Sequence, residues 1–226
     1  MNQKQKRPSP TIGDFNKFKK PLEKEDIITY YTYRKISGTL CWFFYHLRLK
    51  AEYVASLSPV MDFIAIYFIF QGSFWWAALF IQLAILIDCC DGQLARYYIS
   101  IGKKERGKGF GEYVDSIVGV IGLAFVAFFI GLQFHIYIAA LGMFTLMMLN
   151  LTSAKAGMFK DTRKQIYDNT KKKIFGRIKG RIGLTHDIQR FLLTAALVFS
   201  RVEFMWAFII LGTFWWMIKF RLYRNL

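Results

Sequence analysis

Six apolar stretches dominate this 226-residue chain: about Tyr53–Phe70, Phe74–Arg96, Phe110–Gly131, Phe134–Gly157, Ile188–Ser200 and Phe204–Phe220. A helix needs roughly 20 mostly apolar residues to cross the hydrocarbon of a bilayer. The fifth stretch reaches that length only if its helix begins in the polar residues before it. The chain is 54% hydrophobic and 18% aromatic, yet its net charge is +16. A soluble globular domain seldom combines these, so the charge must collect outside the apolar blocks. The expected fold class is all-α: a polytopic membrane protein with six transmembrane helices and an N-terminal amphipathic interfacial helix.

The connections support that count. Gln71–Ser73 carries no charge, and the connection after Gly131 carries only Gln133 and His135. The last connection holds Arg201 and Glu203. By contrast, Lys103, Lys104, Arg106 and Lys108 separate the second and third stretches, and Lys160 through Arg181 contains nine basic residues. With six spans, all the basic segments and both termini fall on one side, which the Lys/Arg rule makes cytoplasmic. Residues 1–26 read as a basic cytoplasmic tail able to touch anionic lipids. Residues 27–50 are aromatic but interrupted by Arg34, Lys35, His46 and Arg48, which suits a helix lying on the membrane. Residues 51–226 form the membrane domain, with a basic cytoplasmic loop at 158–187. No signal peptide is expected. Cys41, Cys89 and Cys90 read as free thiols. The basic loop is explained by inner-leaflet charge, so no nucleic-acid partner is expected.

Chemistry concentrates in Asp88-Cys-Cys-Asp91-Gly92-Gln-Leu-Ala95-Arg96 and, after a basic connection, Gly111-Glu-Tyr-Val-Asp115. Asp88 and Asp91 are three apart and share a helical face. Carboxylates near membrane depth are costly unless compensated. A divalent cation with oxygen ligands compensates them. Gly92 and Ala95 leave room for a ligand beside the helix, and Arg96 offers a fork for phosphate. Metal, small residues and an arginine together suggest a diphosphate site on the cytoplasmic face.

The pattern D-x2-D-G-x2-A-R followed by G-x3-D resembles the signature of the CDP-alcohol phosphotransferase family of membrane enzymes. The resemblance rests on Asp88, Asp91, Gly92, Ala95, Arg96, Gly111 and Asp115. It implies transfer of a substituted phosphate from a CDP-linked donor, such as CDP-diacylglycerol, to an acceptor alcohol with release of CMP. It also implies one or two Mg²⁺ or Mn²⁺ ions at Asp88, Asp91 and Asp115. Gly92, Ala95, Arg96 and Gly111 would shape the nucleotide site, and the protein would be a homodimer. Lys155 resembles the family's basic residue at an acceptor or lipid phosphate, with interfacial snorkelling as the plain alternative. Arg190 is a further acceptor or phosphate ligand by the same reading. Its alternative is a structural ion pair with Asp187.

Three departures stand out. The family's last aspartate, the usual general base, is replaced by Gly119. Fourteen residues separate Arg96 from Gly111, more than is usual in the family. Glu52 and Ala55 stand where members often carry Asn and Thr. General-base assistance contributes about 10²–10⁴-fold in rate, so its loss leaves three readings. The chain is a catalytically silent binder of a CDP-alcohol or lipid; or Glu112 or Glu52 supplies the base; or the acceptor is already ionised. A cation transporter is the weakest rival, because the aspartates sit at one end of the spans. Asp62, inside the first span, is expected to face protein.

Overall fold

The computed structural model describes residues 33–100, 119–158 and 186–223. Among them are seven helices and no strand: α1 Arg34–His46, α2 Ala51–Phe70, α3 Phe74–Ser100, α4 Gly119–Leu132, α5 Ile136–Met158, α6 His186–Phe199 and α7 Val202–Tyr223. The tail 1–26, the connection holding Gly111, Glu112 and Asp115, and most of the loop 158–187 lie outside the described residues. By length and composition α2, α3 and α7 can cross a membrane. Gly119–Leu132 and Ile136–Asn150 are shorter apolar segments, and α6 has 14 residues with polar groups in its first turn.

The helices follow from their periodicity. In α2 the buried positions are Ala51, Val54, Ala55, Ser58, Pro59, Asp62, Ala65, Ile66 and Ile69, a stripe with steps of three and four. The opposite face exposes Tyr53, Val60, Phe63, Tyr67 and Phe70. Along α7 the exposed residues include Ile210, Leu211, Phe214, Met217 and Phe220. Large apolar side chains arrayed outward in this way suit lipid rather than water.

Tight turns join neighbours into antiparallel pairs. After α2, Gly72 takes φ +68°, its N–H donates to the Ile69 carbonyl at 3.0 Å, and Ser73 N–H donates to Phe68 at 2.9 Å. This left-handed cap satisfies the last carbonyls of α2 and returns the chain into α3 within three residues. Arg48 closes α1 in the same way at φ 58°, with Leu49 N–H donating to Phe44 at 3.1 Å. Between α4 and α5 the backbones touch: a Cβ on Gly131 would lie 2.5 Å from the Ala139 Cα.

Two cores result. The larger runs through α2 to α7 and includes Ile69, Ile81, Leu123, Ile130, Leu146, Leu193 and Phe208. The smaller joins α1 to the start of α2 and the end of α3 through Cys41, Phe44, Tyr45, Val54, Cys90, Leu94 and Tyr97.

Because backbone blocks the space beside Gly131, Gly131→Ala should lower stability by about 1–3 kcal/mol. Gly119→Ala should change it little, since a Cβ there meets no atom within 4 Å among the described residues. Thermal unfolding in detergent distinguishes the two.

Candidate functional site

The core-facing stripe of α3 begins with Ala77, Ile81, Ala84 and Ile85, all essentially buried. Continuing the same steps of three and four brings it to Asp88, Asp91, Gly92 and Ala95. The carboxylates therefore extend the packed face of α3 to the end of the bundle, and both are half-buried. Arg96 bends back over its own helix: a Cβ on Gly92 would lie 3.3 Å from Arg96 Nη1. Asp91 is close enough for its charge to act on that guanidinium. Gly92 thus leaves space that the arginine uses.

The face of α3 turned away from the carboxylates is braced by α1. Cys90 Sγ donates to the Ser37 carbonyl at 3.3 Å, and Cys41 Sγ to the Cys90 carbonyl at 3.7 Å. Ser37 Oγ lies 3.5 Å from Gln93 Oε1, and Tyr98 OH donates to the Leu49 carbonyl at 2.9 Å. The Tyr45 and Tyr97 rings meet edge-on at 4.9 Å. The three cysteines are free thiols. Gln93, a spacer position in the motif, is in fact a buried anchor point. Its signal in the sequence is an amide between Gly92 and Leu94 near the end of an otherwise apolar segment.

A second polar set lies between α2, α3, α4 and α6. Tyr33 OH donates to Gln82 Oε1. Gln82 Nε2 donates to Thr194 Oγ1 at 2.7 Å, and that hydroxyl donates to the Arg190 carbonyl at 2.8 Å. Arg190 Nη1 and Nη2 donate to Asp62 Oδ1 and Oδ2 at 2.6 and 2.8 Å. The two side chains are 1% and 0% exposed. Gly122 makes the room: a Cβ there would lie 3.2 Å from Asp62 Oδ2. Asp62 faces protein, as its cost in lipid requires. Arg190 pairs with Asp62, on another helix, and its Nε has no hydrogen-bond partner among the described residues. Gln82 and Thr194 were legible as polar groups inside apolar segments, but nothing in their spacing joins them.

Of the remaining expected residues, Glu52 is half-buried and Ala55 buried near the start of α2. Gly119 opens α4 and is buried. Lys155 lies in the last part of α5. Asp115, Gly111 and Glu112 lie outside the described residues, and among those that are described no three metal-ligating side chains cluster. Asp88 and Asp91 supply oxygen donors of the kind Mg²⁺ or Mn²⁺ takes.

Such a bundle, with an acidic motif at the end of a spanning helix, is that of an integral membrane protein with a polar site at one end. The family model for CDP-alcohol phosphatidyltransferase matches residues 51–218, and the chain belongs to this family. That is a family of transferases acting on CDP-alcohols and generally dependent on metal. No curated protein matches the chain.

Two predictions follow from the polar set. Burial first, then the charges of Asp187 and Cys89, push the Tyr33 phenol up to about 12 from 10.0. Folding therefore favours the protonated phenol. Its contribution is intact below pH 10 and is lost as the pH rises towards 12. Tyr33→Phe should flatten the fall in stability across that window, read by unfolding at a series of pH values. Removing one partner of the Asp62–Arg190 bridge should cost about 3–5 kcal/mol, and an apolar pair such as Asp62→Leu with Arg190→Met should recover most of it. Unfolding of the single and double variants provides the comparison.

Proposed function

We propose that the chain is a metal-dependent phosphotransferase that takes a CDP-linked donor such as CDP-diacylglycerol, passes its substituted phosphate to an acceptor and releases CMP. The observation that carries this reading is the continuation of the α3 core stripe into Asp88, Asp91, Gly92 and Ala95, within the segment matched by the family. Six spans with both termini and the motif on the cytoplasmic side fit the Lys/Arg distribution. A homodimer follows from the family resemblance.

In this reading Asp88, Asp91 and Asp115 hold one or two Mg²⁺ or Mn²⁺ ions. Such ions neutralise the donor diphosphate and the departing CMP. Gly92 and Ala95 let the nucleotide approach α3 once Arg96 turns off Gly92, with Gly111 serving the same site from the next segment. Arg96 presents its fork to a phosphate oxygen. Lys155 serves the acceptor side. The face of α4 that opens with Gly119 has no carboxylate to take the acceptor proton, so Glu112 or Glu52 takes it, or the acceptor arrives ionised.

Gly119 also favours a second reading, in which the chain binds a CDP-alcohol and does not turn it over. CMP release decides between them. CDP-diacylglycerol with Mg²⁺ should stabilise the purified protein, and Asp91→Ala should abolish the shift. If neither ligand nor variant changes stability, the donor assignment fails. A Gly119→Asp variant, whose Cβ would meet no described atom within 4 Å, should release CMP about 10²–10⁴-fold faster if the missing base limits the rate. Equal rates would place the base elsewhere or make it unnecessary. Release by the variant alone would make the natural chain a binder.

A further inference from the structure

The outward face of α1 is apolar, and the turn that follows it is basic. Ile36, Phe43 and Leu47 are each about half exposed and, at steps of seven and four, lie along one face of the helix. A different face, with Ser37, Cys41 and Tyr45, packs on α3. The chain then passes through exposed His46, Arg48 and Lys50 into α2. Tyr98 OH fixes this turn to α3 through the Leu49 carbonyl, at the end of the bundle that carries Asp88 and Asp91. The 20 residues of α2 match the thickness of the bilayer hydrocarbon, about 30 Å. Arg48 and Lys50 immediately precede that span and so stand at headgroup level. Exposed Tyr53 anchors the same level, its ring centroid 5.8 Å from Lys50 Nζ.

Arg48 is held at φ 58°, in the left-handed region natural to glycine. A residue with a side chain pays a conformational penalty there that glycine would avoid. The turn itself is closed by backbone hydrogen bonds, from Arg48 N–H to Tyr45 and from Leu49 N–H to Phe44. Glycine would make both equally well, so the fold of the turn does not call for a guanidinium.

We propose that the outward face of α1 and the α1–α2 turn dock on an anionic phospholipid, with Ile36, Phe43 and Leu47 among its acyl chains and Arg48 and Lys50 on its phosphate. Charge and depth select this partner. Exposed cations adjoin apolar side chains on one short element, and an anionic headgroup attached to acyl chains complements both. A zwitterionic headgroup already carries a cation beside its phosphate. A water-soluble anion would leave the apolar face uncovered. Glu52, the one carboxylate between Arg34 and Met61, is half-buried and shares the packed side of α2 with Ala55 and Pro59. The inference needs only that the bundle sits in a bilayer, and it stands apart from the transfer chemistry.

The test uses the full chain in a neutral detergent with thermal unfolding as the readout. The probe is dioleoyl phosphatidylglycerol, with dioleoyl phosphatidylcholine and inorganic phosphate alongside. Phosphatidylglycerol should raise the unfolding temperature saturably, and the other two should not. Arg48→Gly combined with Lys50→Gln should weaken the apparent affinity for phosphatidylglycerol about 10- to 30-fold. Arg221→Gln, which removes an exposed cation from the end of α7, should leave that affinity unchanged. Without lipid, Arg48→Gly alone should unfold at or above the wild-type temperature, because glycine relieves the left-handed backbone. Equal stabilisation by phosphatidylcholine or by phosphate overturns the inference. Undiminished binding in the double variant, or an equal loss in Arg221→Gln, does the same. A lower unfolding temperature for lipid-free Arg48→Gly would make the arginine part of the fold and refute its assignment to a headgroup.

Discussion

Polar groups at membrane depth must find their partners inside the protein, and this one requirement organises the bundle. Asp62 and Arg190 answer it most directly. Each would be prohibitively placed against lipid, so together they fix which faces of α2 and α6 turn inward. The bridge joins elements far apart in the chain, and Gly122 lets α4 close over it. Gln82 and Thr194 extend the same logic to α3, and Tyr33 carries it to the residue before α1. The apolar residues have no comparable selectivity. Leu or Phe is equally content against lipid or against another helix, which is why α7 can present so many of them outward.

The motif obeys the same constraint in another way. Asp88 and Asp91 stand on the stripe that deeper in the membrane is Ala, Ile, Ala and Ile. They have left the apolar core without leaving its face. A carboxylate there is half-buried, close to other helices and near the end of the bundle, and the charge of Asp91 reaches the Arg96 guanidinium. The rigidity this demands comes from behind. Ser37, Cys41 and Tyr45 grip the far side of α3 with hydrogen bonds and ring contacts, so α1 acts as a splint for the helix that bears Asp88 and Asp91.

How much of this the sequence could reveal depends on whether a signal is local. The helices were legible because periodicity and turn chemistry are local: the Gly72 cap and the stripe of α2 can be read directly. The first part of the motif was legible because Asp88, Asp91, Gly92, Ala95 and Arg96 fall within one helix. That Asp62 must face protein was legible from cost alone. Its partner was not, because 128 positions separate Asp62 from Arg190. Helical spacing instead suggested Asp187 as an alternative partner, three residues away. The Tyr33–Gln82–Thr194 chain was hidden for the same reason. Span counting was hard for a different one: α6 is stabilised by polar contacts along its inner face, which lowers the hydropathy that span rules depend on.

These threads meet at Gly119 and Arg190. Catalysis of the family's kind asks for a group that removes the acceptor proton and for groups that hold the acceptor. Here the helix face expected to carry the base carries hydrogen, and the arginine expected to hold a phosphate is held by Asp62. The bridge is bidentate, fully buried and fitted against a glycine. Withdrawing either side chain to serve a ligand would leave the other as an uncompensated charge inside the bundle, at a cost of about 3–5 kcal/mol. The pair is therefore committed to joining α2 to α6 with α4 packed over it, as buried charges in an apolar bundle must be.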